Sequence, residues 1–591
     1  MTDVSSSTVR RNKPAAWQRF LPFLAWLPHY PKSYLRGDLT AGLTVGVMLV
    51  PQGMAYAMLA GMPPIYGLYA ATVPLVLYAL LGTSRQLAVG PVAMVSLLTA
   101  TGVSTMAEVG SPEYIGLVLA LAFIVGAFQL ALGVFRLGFM VNFLSHPVIS
   151  GFTSAAAIVI ALSQLKHLLG IPMPRSEHVH EILVAAAQNI GKTHGLTLSI
   201  GLGAIVLIQL FKKWRPAFPG ALVVVALSIV AVGGLGLSEY GVKIVGEVPS
   251  GLPALSMPLL DWPSVQKLVP IALAIALVGF MESIAVAKAM QARHRDYALD
   301  ANQELIALGM ANIGGSFFSS FPVTGGFSRT AVNDQAGART GLASLISAAL
   351  IVVTLLFLTP LFYYLPNAVL AAVIIVAVYG LIDHKEARHL WHSNRGDFAL
   401  WAVTFVATLF VGIEQGIALG VILSLALVIY RTTKPHIAVL GRVPGTFFYR
   451  NVERFSNLEQ RPDVLIVRFD ADLYFANVNY FLDTLDTLAA QRGSALRVLV
   501  INAESISNLD SSGAHAIEEL LRRFRQQGVS VFFVSVKGPV RDAMARAGLI
   551  EKIGPENFFL SNQQAVDACD QVCTGNEDEL AQYALQTNAA R

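Results

Sequence analysis

Residues 322–333 read PVTGGFSRTAVN, and residues 88–98 read AVGPVAMVSLL. Each is a short apolar stretch broken by glycine or proline, and Gly325 lies 235 positions after Gly90. A matched pair of such segments in the two halves of a chain is the sequence sign of an inverted-repeat carrier whose site lies where two half-helices meet at the bilayer midplane. Pro91 suits the first turn of a helix, which would direct the amides of Val92, Ala93 and Met94 outward. Gly325, Gly326, Phe327 and Ser328 would do the same from the other half. Facing helix N-termini carry partial positive charge, so the pair predicts an anion site. Two ordinary Gly/Pro kinks are the competing reading, because both residues are common in transmembrane helices.

Composition supports a lipid solvent for most of the chain. Of 591 residues 54% are hydrophobic and 13% charged, about half the charged share of an ordinary soluble protein. The charges are unevenly spread. Residues 1–431 hold 25 Lys+Arg and 18 Asp+Glu, whereas the last 160 residues hold 16 and 19. A lipid-embedded body is therefore followed by a water-soluble module, which excludes an ordinary soluble enzyme, and the net +4 carries no nucleic-acid signal. Cys569 and Cys573 are the only cysteines, so neither a disulfide framework nor a paired metal motif is available. Residues 20–28 (FLPFLAWLP) make a poor signal peptide and read as an interfacial segment.

Between residues 39 and 107 Arg85 is the only charged side chain, and three apolar stretches share that span. Eleven more follow near 114–135, 147–165, 194–211, 219–236, 266–287, 301–319, 326–337, 342–361, 365–382, 398–413 and 416–430, which makes fourteen expected spans. With a cytoplasmic N-terminus (Arg10, Arg11, Lys13, Arg19, Lys32, Arg36), loops after even spans carry the cations: Arg85, Arg136, Lys212 to Arg215, Lys288 to Arg295, Arg339, and Lys385 to Arg395. The positive-inside rule then puts both termini in the cytoplasm.

Within this body the few polar groups are the functional candidates. Arg329 at membrane depth costs about 2.5 to 3.5 kcal/mol on insertion scales, so a partner or substrate is expected; it could complete the anion site or snorkel to the surface. Glu282 follows an uncharged run from 268 to 281 and is a candidate for proton coupling, with a fixed ion pair to Arg329 or Lys288 as the alternative. Gln52 and Tyr56 are four apart on one face of the first span, just beyond Pro51, which is expected to break it. Both could hydrogen-bond an oxyanion or act as interhelical glue.

The soluble module alternates as α/β. VLIVRFD (464–470), LRVLVINAE (496–504) and VSVFFVSV (529–536) read as strands, with helices over 478–490 and 513–527. In NLDSSGAHAIEELL (508–521), Asp510 or Ser511 can cap a helix whose N-terminus could hold a phosphate. Neither GxGxxG nor GxxxxGK[ST] occurs, so nucleotide hydrolysis is unsupported. His515 and the histidines of 384–392 are irregularly spaced and read as solvated.

Residues 64–85, PIYGLYAATVPLVLYALLGTSR, together with PQGMAYAMLAG (51–61), VGPVAMVSL (89–97) and GGFSRTAVN (325–333), resemble the sequence blocks of the SulP family, related to the SLC26 anion transporters and the bacterial sulfate permeases. The resemblance extends over nearly the whole chain and includes a C-terminal STAS domain. It implies a cytosolic segment 1–37, a transport domain 38–431, a STAS domain 437–572 and a tail 573–591. The transport domain would have 14 spans as a 7+7 inverted repeat with a UraA-like core (spans 1 to 4 and 8 to 11) and gate (5 to 7 and 12 to 14).

By motif, the resemblance carries substrate binding to Gln52, Tyr56, Val92, Ser328 and Arg329, and the reading of the two helix ends adds Gly90, Ala93, Gly326 and Phe327 to the expected substrate-binding set. Glu282 takes ion coupling, and Ser511 the place of a serine phosphorylated in soluble STAS proteins. No cofactor or metal is expected. The implied function is secondary active transport of a small inorganic anion, sulfate first, coupled to protons by an elevator-type movement. A homodimer in the inner membrane, with possible cytosolic partners of the STAS domain, is also implied. Sodium-coupled bicarbonate transport, dicarboxylate transport and a membrane-anchored STAS-mediated regulator stay open, since backbone amides bind all these anions by the same physics.

Overall fold

The computed structural model describes residues 21–139, 145–173, 178–214, 219–258, 260–294 and 297–574. Arg10, Arg11, Lys13, Arg19, Arg215, Arg295 and residues 575–591 of the tail lie outside the described residues. The chain forms two compact units, Met1–Ser424 and Leu425–Arg591.

Helix occupies each of the fourteen apolar segments expected over residues 39–430. In chain order these are α1 (Lys32–Leu59), α2 (Val73–Leu81), α3 (Ala93–Ser104), α4 (Pro112–Val134), α5 (His146–Ser163), α6 (Gly195–Trp214) and α7 (Gly220–Gly234). The second set is α8 (Trp262–His294), α9 (Ala301–Ser316), α10 (Phe327–Gln335), α11 (Leu342–Val353), α12 (Asn367–Tyr379), α13 (Arg395–Phe410) and α14 (Ile413–Thr433). Among the described residues eight helical segments are long and apolar enough to cross a membrane. The two interrupted segments are not: α3 has 12 residues and α10 has 9, or about 18 and 14 Å at 1.5 Å per residue, roughly half the hydrocarbon thickness. Helices Val179–Asn189 and His384–Ser393 lie in connections that apolar periodicity does not mark. The histidines at 384, 389 and 392 are exposed.

One expectation fails in α1, which runs unbroken through Pro51. Proline removes one intrahelical hydrogen bond, a loss that packing between neighbouring helices tolerates in membrane segments. Gln52 and Tyr56 therefore project from a continuous helix.

Small residues set the packing. A Cβ on Gly309 of α9 would come within 2.6 Å of the Leu130 amide nitrogen on α4, and one on Gly126 within 2.7 Å of the Gly309 carbonyl oxygen. These helices meet backbone to backbone, the small-residue mode of membrane interfaces. Buried polar groups then fix the chain crossings. Asn312 on α9 donates to Gln129 Oε1 of α4 at 3.0 Å and to the Val323 carbonyl at 3.0 Å, while its Oδ1 accepts from the Val323 amide at 2.8 Å.

The second unit builds a six-stranded sheet in the order β4-β3-β5-β6-β7-β8, from β3 (Ile437–Arg442), β4 (Tyr449–Asn451), β5 (Val464–Phe469), β6 (Val498–Asn502), β7 (Ser530–Val534) and β8 (Phe558–Phe559). β5 to β8 are parallel, and β3 is antiparallel to both neighbours. All five residues of β6 are buried, as a strand covered on both faces requires. Leu499 and Ile501 face one core; Val498 and Val500 face another with Ala565 and Ala568 of the last helix. The three expected strands are the central ones. β3, β4, β8 and the helix Gly538–Arg546 are additions whose segments are too short or too mixed to announce themselves.

Candidate functional site

The two interrupted segments meet. Residues Val89–Gly90 (β1) and Thr324–Gly325 (β2) pair antiparallel, with Val89 opposite Gly325 and Gly90 opposite Thr324. Adding the 235-residue offset to the first member of each pair and subtracting it from the second returns the other pair, so this crossing has the local two-fold symmetry of inverted repeats. The Gly326 amide donates to the Ala88 carbonyl at 3.1 Å, and the Ala88 amide to Thr330 Oγ1 at 3.0 Å. Gly90 takes φ +152°, a conformation costly for any residue with a Cβ.

Each strand delivers the chain to a helix N-terminus. Val92 is the extended N-cap of α3 and Gly326 that of α10, and neither end has a side-chain cap. The first intrahelical bonds run from Ser96 N to Val92 O and from Thr330 N to Gly326 O. The amides of Ala93, Met94, Val95, Phe327, Ser328 and Arg329 are thus the unfilled donors of two helix ends. This shifts the expected donor set by one or two residues. Pro91 precedes the cap instead of opening the helix, and the Gly325 amide is already committed to Ser283 Oγ at 2.7 Å.

A cavity of about 320 Å³ lies at these ends. Its lining includes Gln52 and Tyr56 of α1, Val92, Ala93 and Met94 at α3, Glu282 of α8, and Gly326, Phe327, Ser328 and Arg329 at α10. Gly90 does not line it and acts one layer behind, in the strand pair. The opposing wall comes from α5, α12 and α14 through Phe152, Val378 and Ile417. Phe152 and Thr153 were not marked in the sequence, because an aromatic or hydroxyl group inside an apolar run has no distinguishing pattern. His146, at the start of α5, and Leu381, just beyond α12, also line the cavity and place its mouth at that end of α5.

Arg329 is 2% exposed and does not snorkel. Its Nη1 donates to the Pro91 carbonyl at 2.5 Å and its Nη2 to the Ala88 carbonyl at 3.5 Å, so the guanidinium of one half holds the other half's chain. Its Nε is buried with no hydrogen-bond partner among the described residues. Gly326 leaves room for this arrangement: a Cβ there would stand 2.7 Å from Arg329 Nη2. Glu282 is half-buried on the cavity wall. It lies in the electrostatic field of Arg329, yet no ion pair joins them among the described residues. The cavity thus combines positive helix ends, a guanidinium, two neutral hydrogen-bonding groups and one carboxyl that has no salt-bridge partner among the described residues.

In the second unit, Asp510 caps the helix Ser511–Gln526, accepting from the Gly513 amide at 2.7 Å and from the Phe475 amide at 3.0 Å. Ser511 is exposed at the first helical position.

A multi-pass helical membrane body, a cavity between two half-helix ends and a following α/β module point to a membrane transporter for anions. The sulfate permease family model matches residues 35–404 and the STAS domain model residues 442–565, and the chain belongs to the sulfate permease family. It is 40% identical to sulfate transporter 4.1, chloroplastic, of Arabidopsis thaliana, over 95% of this chain and 84% of that one. High affinity sulfate transporter 2 of Stylosanthes hamata is 36% identical, covering 93% and 86%. Murine Slc26a9 in its inward-facing state superposes with TM-score 0.87 at 29% identity, over 95% and 96% of the two chains. The transmembrane domain of the cyanobacterial bicarbonate transporter BicA, at 24% identity and TM-score 0.58 over 67% and 98%, shares the fold. The chain is an anion transporter of this family.

Proposed function

We propose that this transporter carries sulfate inward together with protons, binding the anion between the N-termini of α3 and α10. The observation that carries this reading is the placement of Glu282 on the same cavity wall as Arg329 without an ion pair between them. A carboxyl group in that position changes its charge on protonation, and the field at the anion changes with it. A carboxyl locked in a salt bridge could not respond in this way. The names of the plant relatives favour sulfate over the other small anions that helix-end amides accept.

Fourteen spans arranged as seven plus seven, with α1 to α4 and α8 to α11 moving as an elevator against α5 to α7 and α12 to α14, fit a cavity whose two walls come from these two sets. Gln52, Tyr56, Val92, Ala93, Gly326, Phe327 and Ser328 then bind substrate, and Gly90 supports the crossing. Cytoplasmic termini, an inner-membrane location, a homodimer, and a STAS domain over 437–572 that recruits partners or is phosphorylated at Ser511 complete the reading.

Uptake of labelled sulfate into proteoliposomes under an imposed pH gradient tests it. Accumulation that follows the gradient is expected; accumulation that follows a sodium gradient and ignores pH would replace the proton by sodium.

A further inference from the structure

The central cavity has a counterpart at the far end of α3, a chamber of about 400 Å³. Met94 lines the first space, and Leu97, Thr101 and Ser104 line the second, so one helix serves both. On α1 the change falls between Tyr56 and Met58, and on α3 between Met94 and Leu97. Three helical residues rise about 4.5 Å, so less than one turn of α1 and of α3 separates the spaces, with Leu59 and Leu97 buried in the partition. The two chambers open at opposite ends of α5: His146 lines the central one, Ser163 the second. A solute reaching this second chamber comes from the membrane face opposite the central mouth.

Its chemistry suits an oxyanion. The short helix Leu165–Leu169, directly after α5, supplies Lys166 and His167 to the lining. The hydroxyl of Thr101, a side chain only 6% exposed, is buried in the lining with no hydrogen-bond partner among the described residues. Ser104 and Thr105 add exposed hydroxyls beside it. Among the described lining residues the acidic group is Glu181, which has His178 three positions before it, Nδ1 to Oε2 at 3.7 Å. A fixed ammonium, an imidazole and a collar of hydroxyls around a space this size are what a hydrated tetrahedral oxyanion requires.

We propose that this chamber is a capture site for a small divalent oxyanion, held by Lys166 and His167 with Thr101 donating to it, one thin partition away from the central cavity. The inference rests on reading the central cavity as an anion site, and its test separates the two.

With Cys569 and Cys573 replaced by alanine, Ser104→Cys places a single thiol in the chamber of the full-length chain in proteoliposomes. The probes are a sulfonate-bearing methanethiosulfonate and its trimethylammonium analogue, each applied with and without sulfate. From the face opposite the central mouth, the anionic reagent should react several-fold faster than the cationic one, and sulfate should slow it saturably. Lys166→Gln, or Lys166→Ala with His167→Ala, should abolish preference and protection, Lys166→Arg should retain them, and Arg329→Ala should leave them intact. Absence of charge preference would overturn the site. So would sulfate protection that survives loss of Lys166 and His167 but disappears with Arg329→Ala, since the anion would then act from the central cavity. Protection in a chain that takes up no sulfate would support the capture site and sink the carrier reading alone.

Discussion

Arg329 Nη1 donates to the carbonyl oxygen of Pro91 at 2.5 Å, across 238 positions of sequence. The contact joins the two halves at the point where each delivers a helix N-terminus. The guanidinium fixes the distance between the helix ends and adds its charge to the same space, so structural and electrostatic roles coincide in one side chain.

Arg329→Lys should therefore fail on both counts. An ammonium keeps the charge but loses the planar fork that reaches two carbonyls. Loss of a charge-assisted hydrogen bond in a buried setting is expected to cost about 1.5 to 3 kcal/mol, measured as a lowered thermal midpoint in detergent. Sulfate uptake should fall at least about tenfold, as about 1.4 kcal/mol of lost binding implies. Gly326→Ala should reproduce much of this by pushing the guanidinium aside.

Replacing Glu282 by Gln keeps shape and hydrogen-bonding capacity and removes the ionisable group. Uptake driven by a pH gradient should disappear, whereas exchange of internal for external sulfate should persist. Unchanged concentrative uptake in the variant would remove Glu282 from coupling.

Gly309→Val puts side-chain atoms where α9 and α4 touch through their backbones. Overpacking of this kind costs about 1 to 3 kcal/mol. Asn312→Leu should cost a similar amount by orphaning Gln129 and the Val323 backbone groups, because an unsatisfied buried polar group carries a penalty of about 1 to 3 kcal/mol. Thermal unfolding of the full chain, compared with Gln266→Ala at an exposed position, checks both.

In the STAS module Asp510→Ala removes a helix cap and should lower protection of the Ser511–Gln526 helix by about 1 kcal/mol, read by hydrogen exchange on the intact protein. The same experiment reports a pH effect at Asp470. Burial pushes its carboxyl up, but hydrogen bonds from Arg468 and His436 outweigh burial and hold it below the ordinary carboxylate value. A depressed folded-state value stabilises the fold above the unfolded value, about 3.9, and that stability is lost as pH falls through the folded one. Protection of β5 should thus weaken on acidification below about pH 4 and much less in Asp470→Asn.

Much of this was legible because membrane depth makes exceptions conspicuous. Glu282, Arg329 and the Gly-Pro and Gly-Gly breaks stand out against uncharged runs; Glu282, Arg329 and Gly326 reach the cavity lining, while Gly90, Pro91 and Gly325 do not. What sequence hid has physical causes. Pro51 sits in an intact helix because neighbours absorb its missing hydrogen bond. On the α10 side the useful amides begin at Phe327, since Ser283 holds the Gly325 amide and the Ala88 carbonyl the Gly326 amide, and on the α3 side Pro91 has no N–H to offer. Asn312, Gln129 and Ser283 hold the crossing, but in sequence they look like any polar residue in a span. Phe152 reaches the cavity only through the packing of α5 on distant elements, which periodicity does not encode.

Whether the anion sits between the two helix ends is decided by equilibrium binding of labelled sulfate to the purified chain, with Ser328→Leu filling the space before the α10 N-terminus and Glu282→Gln as the companion. Saturable binding is expected in the parent and in Glu282→Gln, with at least about a tenfold loss of affinity, or about 1.4 kcal/mol, in Ser328→Leu. Undiminished binding in Ser328→Leu would place the anion elsewhere and contradict a site between the helix ends.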